Sequence, residues 1–179
     1  MFRKPIMKKL SCALLLLMMI TFSLSCKKNK VIEFDIDYTT TLAIPSSSIT
    51  VNVPADFNTP DINTDSKNKF ISEKTVQNLV DEIKMTRFDL SVASGNLNFL
   101  KSLNIYLKTS GLGDILIATK TVIPQNVSSF GMDLQDVNVK EYIFNDKIQF
   151  RVAVTIQTGL TATQQLKMDQ TVRVKAKKS

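Results

Sequence analysis

Apolar and polar side chains alternate along most of the chain after residue 31, and a period of two is typical of β-strands. The clearest alternation spans residues 147–157, where five apolar side chains share one face and polar or small side chains occupy the other. A shift of one residue in strand pairing would expose all five, so the register of this strand is well defined. Similar alternation predicts strands within residues 32–38, 49–53, 88–92, 99–107, 115–122, 132–139 and 166–174.

Strands with one apolar and one polar face are typical of antiparallel sheets that pack on one side. Seven or eight of them, separated by turn signals, predict an all-β fold, an antiparallel β-sandwich of immunoglobulin-like size. One segment differs, because Val76, Leu79, Val80 and Ile83 follow a helical spacing of i, i+3, i+4 and i+7. With Ser72 as N-cap, this spacing predicts one short helix over residues 73–82.

The N-terminus has the pattern of an export signal. A basic head, which contains four Lys and Arg residues, is followed by an uncharged apolar run over residues 10–24. This run is shorter than the roughly 20 residues that a membrane-spanning helix needs. It ends at the sequence Ser23-Leu24-Ser25-Cys26, which is followed by Lys27-Lys28-Asn29-Lys30.

The sequence at residues 23–26 resembles the lipobox of bacterial lipoproteins. In that family the Cys receives a diacylglycerol thioether and an acyl chain such as palmitate, after signal peptidase II cuts before it. The family pattern prefers Leu three places before the Cys, where this chain has Ser23. Looser versions of this kind are similar to those of small outer-membrane lipoproteins of Bacteroidetes. The resemblance implies a signal peptide over residues 1–25, lipidation at Cys26, and a basic tether over residues 26–30.

The cysteine count agrees with this interpretation. The chain has two Cys residues, and Cys12 lies in the segment that would be removed. Cys26 would then be alone, so no internal disulfide can form, and acylation would protect its thiol in an oxidising compartment. The remaining residues, 31–179, show no second domain boundary and are expected to form a single domain.

The residues after Cys26 also bear on location. In enterobacterial lipoproteins an Asp at the next position causes retention in the inner membrane, and this chain has Lys27. The resemblance therefore implies anchoring in the cell outer membrane. Surface-exported lipoproteins of Bacteroidetes tend to carry an acidic cluster here, whereas residues 27–30 are basic. We therefore expect the protein at the periplasmic face.

The formal charge of +7 comes largely from the termini. Without residues 1–25 the chain has 19 Lys and Arg against 16 Asp and Glu, and residues 31–172 have 12 against 16. Nucleic-acid binding needs a basic groove or stripe across the fold, so we expect no nucleic-acid partner. A basic tether beside an acylated Cys instead favours contact with anionic lipid head groups.

The composition offers little for catalysis. The chain has no His and no Trp, so the usual acid–base residue near neutral pH and the best stacking residue are both missing. We expect no enzymatic activity and no cofactor. A hydrolase that uses two facing carboxylates remains an alternative that the sequence does not test.

Two acidic segments are candidate sites. Residues 61–65 match the opening of an EF-hand calcium loop, so Asp61, Asn63 and Asp65 are weak candidate ligands. The Gly and the bidentate Glu that the loop requires are replaced by Ser66 and Ser72, so no metal site is expected. A row formed by Glu33, Asp35 and Asp37 is interpreted as the solvated face of an edge strand, paired across the sheet with residues such as Arg151 or Arg173.

Two functional hypotheses follow. The first is a lipid-anchored structural or protein-interaction subunit with a possible protein partner. The alternative is a ligand-binding module for a glycan or calcium. It would use residues 54–70, which are predicted to form one long polar loop, since long loops in compact domains are often functional.

Overall fold

The computed structural model describes residues 30–179. The predicted signal peptide, the lipobox-like sequence and Cys26 lie outside the described residues. Within residues 30–179 no helix is long and apolar enough to cross a membrane. The strands are β1 (Val31–Ile44), β2 (Ala55–Asn58), β3 (Ile62–Asn63), β4 (Val80–Val92), β5 (Leu100–Lys108), β6 (Ile115–Lys120), β7 (Ser129–Gly131), β8 (Asp133–Leu134), β9 (Lys147–Ile156) and β10 (Gln164–Lys177); the α-helices are α1 (Ser66–Ser72) and α2 (Lys140–Ile143).

Two antiparallel sheets form a β-sandwich, which confirms the predicted all-β fold. The first sheet has the strand order β1-β10-β4-β7, and the second has the order β2-β9-β5-β6-β8, with β3 also paired to β9. The ten strands of the described region exceed the seven or eight expected. Three strands were not predicted, because β2, β3 and β7 have only two to four residues, too few for alternation to reveal. The strand predicted over residues 132–139 is reduced to the two residues of β8.

The core lies between the inner faces of the two sheets. The five apolar residues of β9 are all buried, so the predicted register of this strand is confirmed. Phe150 of β9 meets Phe88 of β4 edge to face, with 5.4 Å between ring centroids. Aromatic pairs of this geometry add about 0.5–1.5 kcal/mol beyond the area they bury. Both sheets therefore contribute directly to one hydrophobic core.

The predicted helix over residues 73–82 is wrong. Gln77–Leu79 form a single 3-10 turn, and β4 begins at Val80. The pairing of β4 with β10 shifts register at two bulges, so the buried residues of β4 are spaced by three, two, three and two. A bulge inserts one residue into a strand and so turns a period of two into a local spacing of three, which imitates a helix. The buried positions are Val80, Ile83, Met85, Phe88 and Leu90.

Two further sequence predictions need correction. The strand predicted over residues 49–53 is a turn, in which Asn52 has a φ of 62° and donates its backbone N–H to Ile156 O at 2.8 Å. Val51 and Val53 are exposed there. The segment 54–70 is not one long loop, since it contains β2, β3 and most of α1. Pairing with β9, which is distant in sequence, organises β2 and β3.

The acidic row lies on the outer face of β1, which is an edge strand of the first sheet. Arg173 donates two hydrogen bonds to Asp35, at 2.9 and 3.0 Å, and these hold the pKa of that carboxyl below its ordinary value. Asp37 accepts a hydrogen bond from Thr171 at 2.5 Å. Pairing with Arg173 is therefore confirmed, whereas Arg151 belongs to the second sheet and pairs elsewhere.

The antiparallel topology assigns the connecting segments to two opposite ends of the sandwich. The tether end, where β1 begins and β10 ends, consists of residues 59–79, 109–114, 135–146 and 178–179. The distal end consists of residues 45–54, 93–99, 121–128 and 157–163.

Candidate functional site

The tether end is closed by the two helices. β1 and β10 have 14 residues each, whereas β9 and β5 have ten and nine. Phe70 of α1 is buried and meets Phe34 of β1 at 6.3 Å and Phe144, beside α2, at 6.0 Å, both edge to face. These three rings join both helices to the inner face of the first sheet.

Buried hydrogen bonds hold the segment between β3 and α1 in place. Thr64 is 1% exposed, and its hydroxyl donates to Asn145 O at 2.7 Å. The Tyr38 hydroxyl donates to Thr64 O at 3.1 Å. Burial, with a smaller contribution from the charge of Asp65, raises the pKa of Tyr38, so this hydroxyl stays protonated and remains a donor. The segment with the sequence-predicted ligands is therefore anchored to the core.

Asp61 lines a cleft of about 290 Å³ at the tether end of the second sheet. Its two carboxylate oxygens accept hydrogen bonds from Lys147 Nζ at 3.2 Å and Gln149 Nε2 at 2.7 Å. The remaining lining residues are Lys108, Thr109, Ser110 and Ile148. The cleft therefore combines a neutralised carboxylate with lysines and amide groups.

Asn63 and Asp65 lie in a second, smaller cleft of about 160 Å³. Asn63 Oδ1 accepts the backbone N–H of Asp65 at 3.3 Å, and Asp65 Oδ1 accepts from Asn68 at 2.5 Å. Asp146 lines the same cleft and pairs with Lys67 at 3.0 Å. The structure thus assigns Asp61 to one cleft and the other two candidates to another. Among residues 30–179 no group of three or more Asp, Glu, His or Cys side chains could hold a metal ion.

A cluster around Arg151, which the sequence analysis missed, lies on the outer face of the second sheet. The Arg151 guanidinium stacks 3.9 Å from the centroid of the Tyr106 ring. It also pairs with Asp114 at 2.6 Å and Asp56 at 3.1 Å. The hydrogen bond with Asp114 is the main cause that raises the pKa of Arg151.

The pairing of β5 with β9 creates this cluster. Tyr106 lies opposite Arg151, and two residues along each strand Lys108 lies opposite Gln149 in the first cleft. The cluster and the cleft therefore form one continuous polar surface on the same face. No local motif marks it, since Tyr106 and Arg151 are far apart in sequence and only the register brings them together.

The distal end is built from uncharged residues. Asn98 and Asn126 form a reciprocal pair, in which Asn126 N donates to Asn98 Oδ1 at 2.7 Å and Asn98 Nδ2 donates to Asn126 Oδ1 at 3.0 Å. Asn126 has a φ of 58°, a left-handed conformation that Asn tolerates better than most residues. Val122 is 78% exposed at this end.

Comparisons with known proteins leave the family open. No family model and no curated protein matches the chain. A chain of Desmodium yellow mottle tymovirus is similar with a TM-score of 0.28 and 8% identity, covering 86% of this chain and 92% of that one. A chain of Mud crab tombus-like virus has a TM-score of 0.29 at 9% identity, covering 89% and 98%. A chain of turnip yellow mosaic virus has a TM-score of 0.28 at 8% identity, and the match covers 84% of this chain and 96% of that one. Similarities this weak carry no argument about function.

Proposed function

We propose that this protein is a lipid-anchored β-sandwich lipoprotein at the periplasmic face of the outer membrane. It acts there as a structural or protein-interaction subunit, not as an enzyme, and has no cofactor and no nucleic-acid partner. The observation that carries the proposal is the order of three features at the N-terminus. A basic head is followed by an uncharged apolar run, and the run leads into the sequence Ser23-Leu24-Ser25-Cys26. This pattern supports export followed by acylation at Cys26.

The position of Cys26 relative to the sandwich suits an anchor. Four residues separate it from Val31, where β1 begins, and the five residue steps between them span at most about 18 Å when extended. An acylated Cys26 would therefore keep the tether end near the membrane and leave the distal end free to face a partner. The basic residues of the tether add attraction to anionic lipids, about 1 kcal/mol for each Lys near the surface.

The arrangement of carboxylates favours a binding or structural role over hydrolysis. Asp56 and Asp114 are the best-placed carboxylate pair on the second sheet, but both contact the same Arg151 guanidinium. Asp61 in the neighbouring cleft is held by Lys147. A glycosidase needs two carboxyl groups that face the substrate, whereas these three carboxylates are each engaged by a cationic side chain of the protein.

The anchor is tested by the intact mass of the protein purified from native membranes. We expect the mass of residues 26–179 plus a diacylglycerol and acyl chains. Cys26→Ser should remove this modification and release the protein from the membrane fraction, whereas the control Cys12→Ser should remain membrane-bound. A full-length, unmodified chain in wild-type membranes would contradict the proposal.

A second candidate function is binding of a glycan or calcium by the segment 54–70. The supporting observation is the cleft at Asp61, which adjoins the Tyr106–Arg151 stack and presents amide, lysine and aromatic groups on one surface. A bound ligand would raise the midpoint of thermal unfolding, because binding to the native state stabilises it. No shift across a calcium titration and a glycan panel, with Asp61→Asn as the matched variant, would remove this candidate.

A further inference from the structure

Three apolar side chains are exposed close to the point where the chain enters the sandwich. Val31 is 53% exposed, Ile71 is 67% exposed and Val76 is 42% exposed. Ile71 lies on α1, whose other face buries Phe70 in the core. The helix therefore has one side occupied by the core and, next to it, one large apolar side chain exposed to solvent.

Backbone contacts join these residues into one surface. Lys74 donates its backbone N–H to Ile71 O at 3.0 Å, and Ser179 N donates to Lys74 O at 2.9 Å. The Thr75 hydroxyl donates to Lys177 O at 2.7 Å, and Lys177 is the pairing partner of Val31 at the first position of β1. The start of β1, the end of β10 and the segment after α1 therefore meet at the same place. We call this surface, formed by Val31, Ile71, Lys74, Val76, Lys177 and Lys178, the entry patch.

The entry patch is basic as well as apolar. It contains three lysines, and the acidic side chains near it are Glu73, Asp81 and Glu33, the last on the same face of β1 as Val31 and opposite Lys175. Asp81 is 3.6 Å from Lys177, and both side chains are partly exposed, so this ion pair leaves Lys177 available to solvent. Exposed apolar side chains ringed by lysines are typical of surfaces that lie at a membrane interface.

We propose that the entry patch rests on the anionic phospholipid head groups of the membrane that carries the Cys26 anchor. This proposal depends on the proposed lipid anchor. The five-residue tether limits the distance between Val31 and the acylated Cys to about 18 Å. Each lysine at the surface raises the binding constant about five-fold, and the apolar side chains enter the head-group layer.

The test uses the mature, acylated protein reconstituted into phosphatidylcholine vesicles with or without phosphatidylglycerol. Ile71→Cys and, at the distal end, Val122→Cys provide matched exposed labelling positions for an environment-sensitive fluorophore. We expect a lipid carrying a nitroxide on its head group to quench the label at position 71 in phosphatidylglycerol vesicles, and to leave the label at position 122 unquenched. The triple variant Lys74→Glu/Lys177→Glu/Lys178→Glu should abolish the quenching at position 71 while the protein still floats with the vesicles.

The intact mass and thermal midpoint of each labelled protein separate the possible failures. With the acyl groups present and the fold intact, equal quenching at the two positions, or none at position 71, would overturn the entry patch and leave the anchor standing. Shielding of position 71 in native membranes but not in lipid vesicles would likewise overturn it, since a protein would then cover the patch. A mass without acyl groups would overturn the anchor and this proposal together.

Discussion

The tether end and the distal end close the same two sheets with different chemistry. The four segments of the tether end contain twelve charged residues, two helices and the buried ring of Phe70. The four segments of the distal end contain no charged residue, and amide groups such as those of Asn98 and Asn126 link their loops.

The two ends therefore differ in the interactions that hold them together. Ion pairs at the tether end are exposed, for example Lys67 with Asp146, so they add little stability and the aromatic residues supply most of it. The four segments of this end contain five Lys and seven Asp or Glu residues, so the end is charged but not basic as a whole. Hydrogen bonds between neutral groups link the loops of the distal end, and salt does not screen these.

The largest loss of stability is expected when the aromatic packing that closes the tether end is removed. Phe70→Ala removes a buried ring that contacts Phe34 and Phe144, and we expect it to lower the free energy of unfolding by about 3–5 kcal/mol. Urea denaturation measures this loss. The distal control Val122→Ala, at a side chain that is 78% exposed, should change stability by less than about 0.5 kcal/mol. A loss below about 1 kcal/mol for Phe70→Ala would show that α1 does not close the core.

A moderate effect is expected at the distal end. Asn98→Ala removes both hydrogen bonds of the pair with Asn126, and we expect a loss of about 1–2 kcal/mol. Because the groups are neutral, the loss measured by urea denaturation should be the same at low and high salt. The tether-end variant Lys67→Ala should lose less, under about 1 kcal/mol, and only at low salt. If the loss of stability in Asn98→Ala depended on salt, the two ends would not differ in the way proposed, with neutral interactions at one end and ionic interactions at the other.

The smallest expected loss of stability concerns the pair of Asp35 and Arg173 near the start of β1, and it depends on pH. Hydrogen bonds from Arg173 hold the pKa of Asp35 below its ordinary value of 3.8. A lowered carboxyl pKa contributes stability that is fully present above pH 3.8 and is lost as the pH falls through the lowered value. Both partners are substantially exposed, so we expect Asp35→Asn to cost less than about 1 kcal/mol at pH 7.

The difference in free energy of unfolding between Asp35→Asn and the wild type should become smaller as the pH is lowered from 5 to about 2. Urea denaturation at each pH measures this difference. The distal variant Asn98→Ala provides the control, since its difference from the wild type should not change over this range. A difference for Asp35→Asn that grows in acid would contradict the sign of the pKa shift.

Much of the fold could be predicted from the sequence, and the errors have identifiable causes. The alternation over residues 147–157 gives β9 correctly, because a strand buried on one face must repeat every two residues. The prediction of a helix over residues 73–82 fails because the first bulge of β4 gives Val80 and Ile83 a spacing of three, which helices also show. Residues 49–53 alternate as well, but they form a turn, which a backbone hydrogen bond from Asn52 joins to the end of β9.

The candidate site was less predictable. Asp61, Asn63 and Asp65 are close together in sequence, yet Asp61 lines one cleft and the other two line another. The pairing of β3 with β9 places the chain between these two clefts. The stack of Tyr106 on Arg151 has no local signal at all.

The amino-acid pattern alone thus specifies the class of fold, the acidic outer face of β1 and the expected export and lipidation of the chain. These are local properties, because strand alternation and a signal segment can be recognised within a few consecutive residues. The clefts, the Arg151 cluster, the entry patch and the contrast between the two ends come from tertiary structure. Each depends on pairing between strands that are distant in sequence, and the register of that pairing decides which side chains meet.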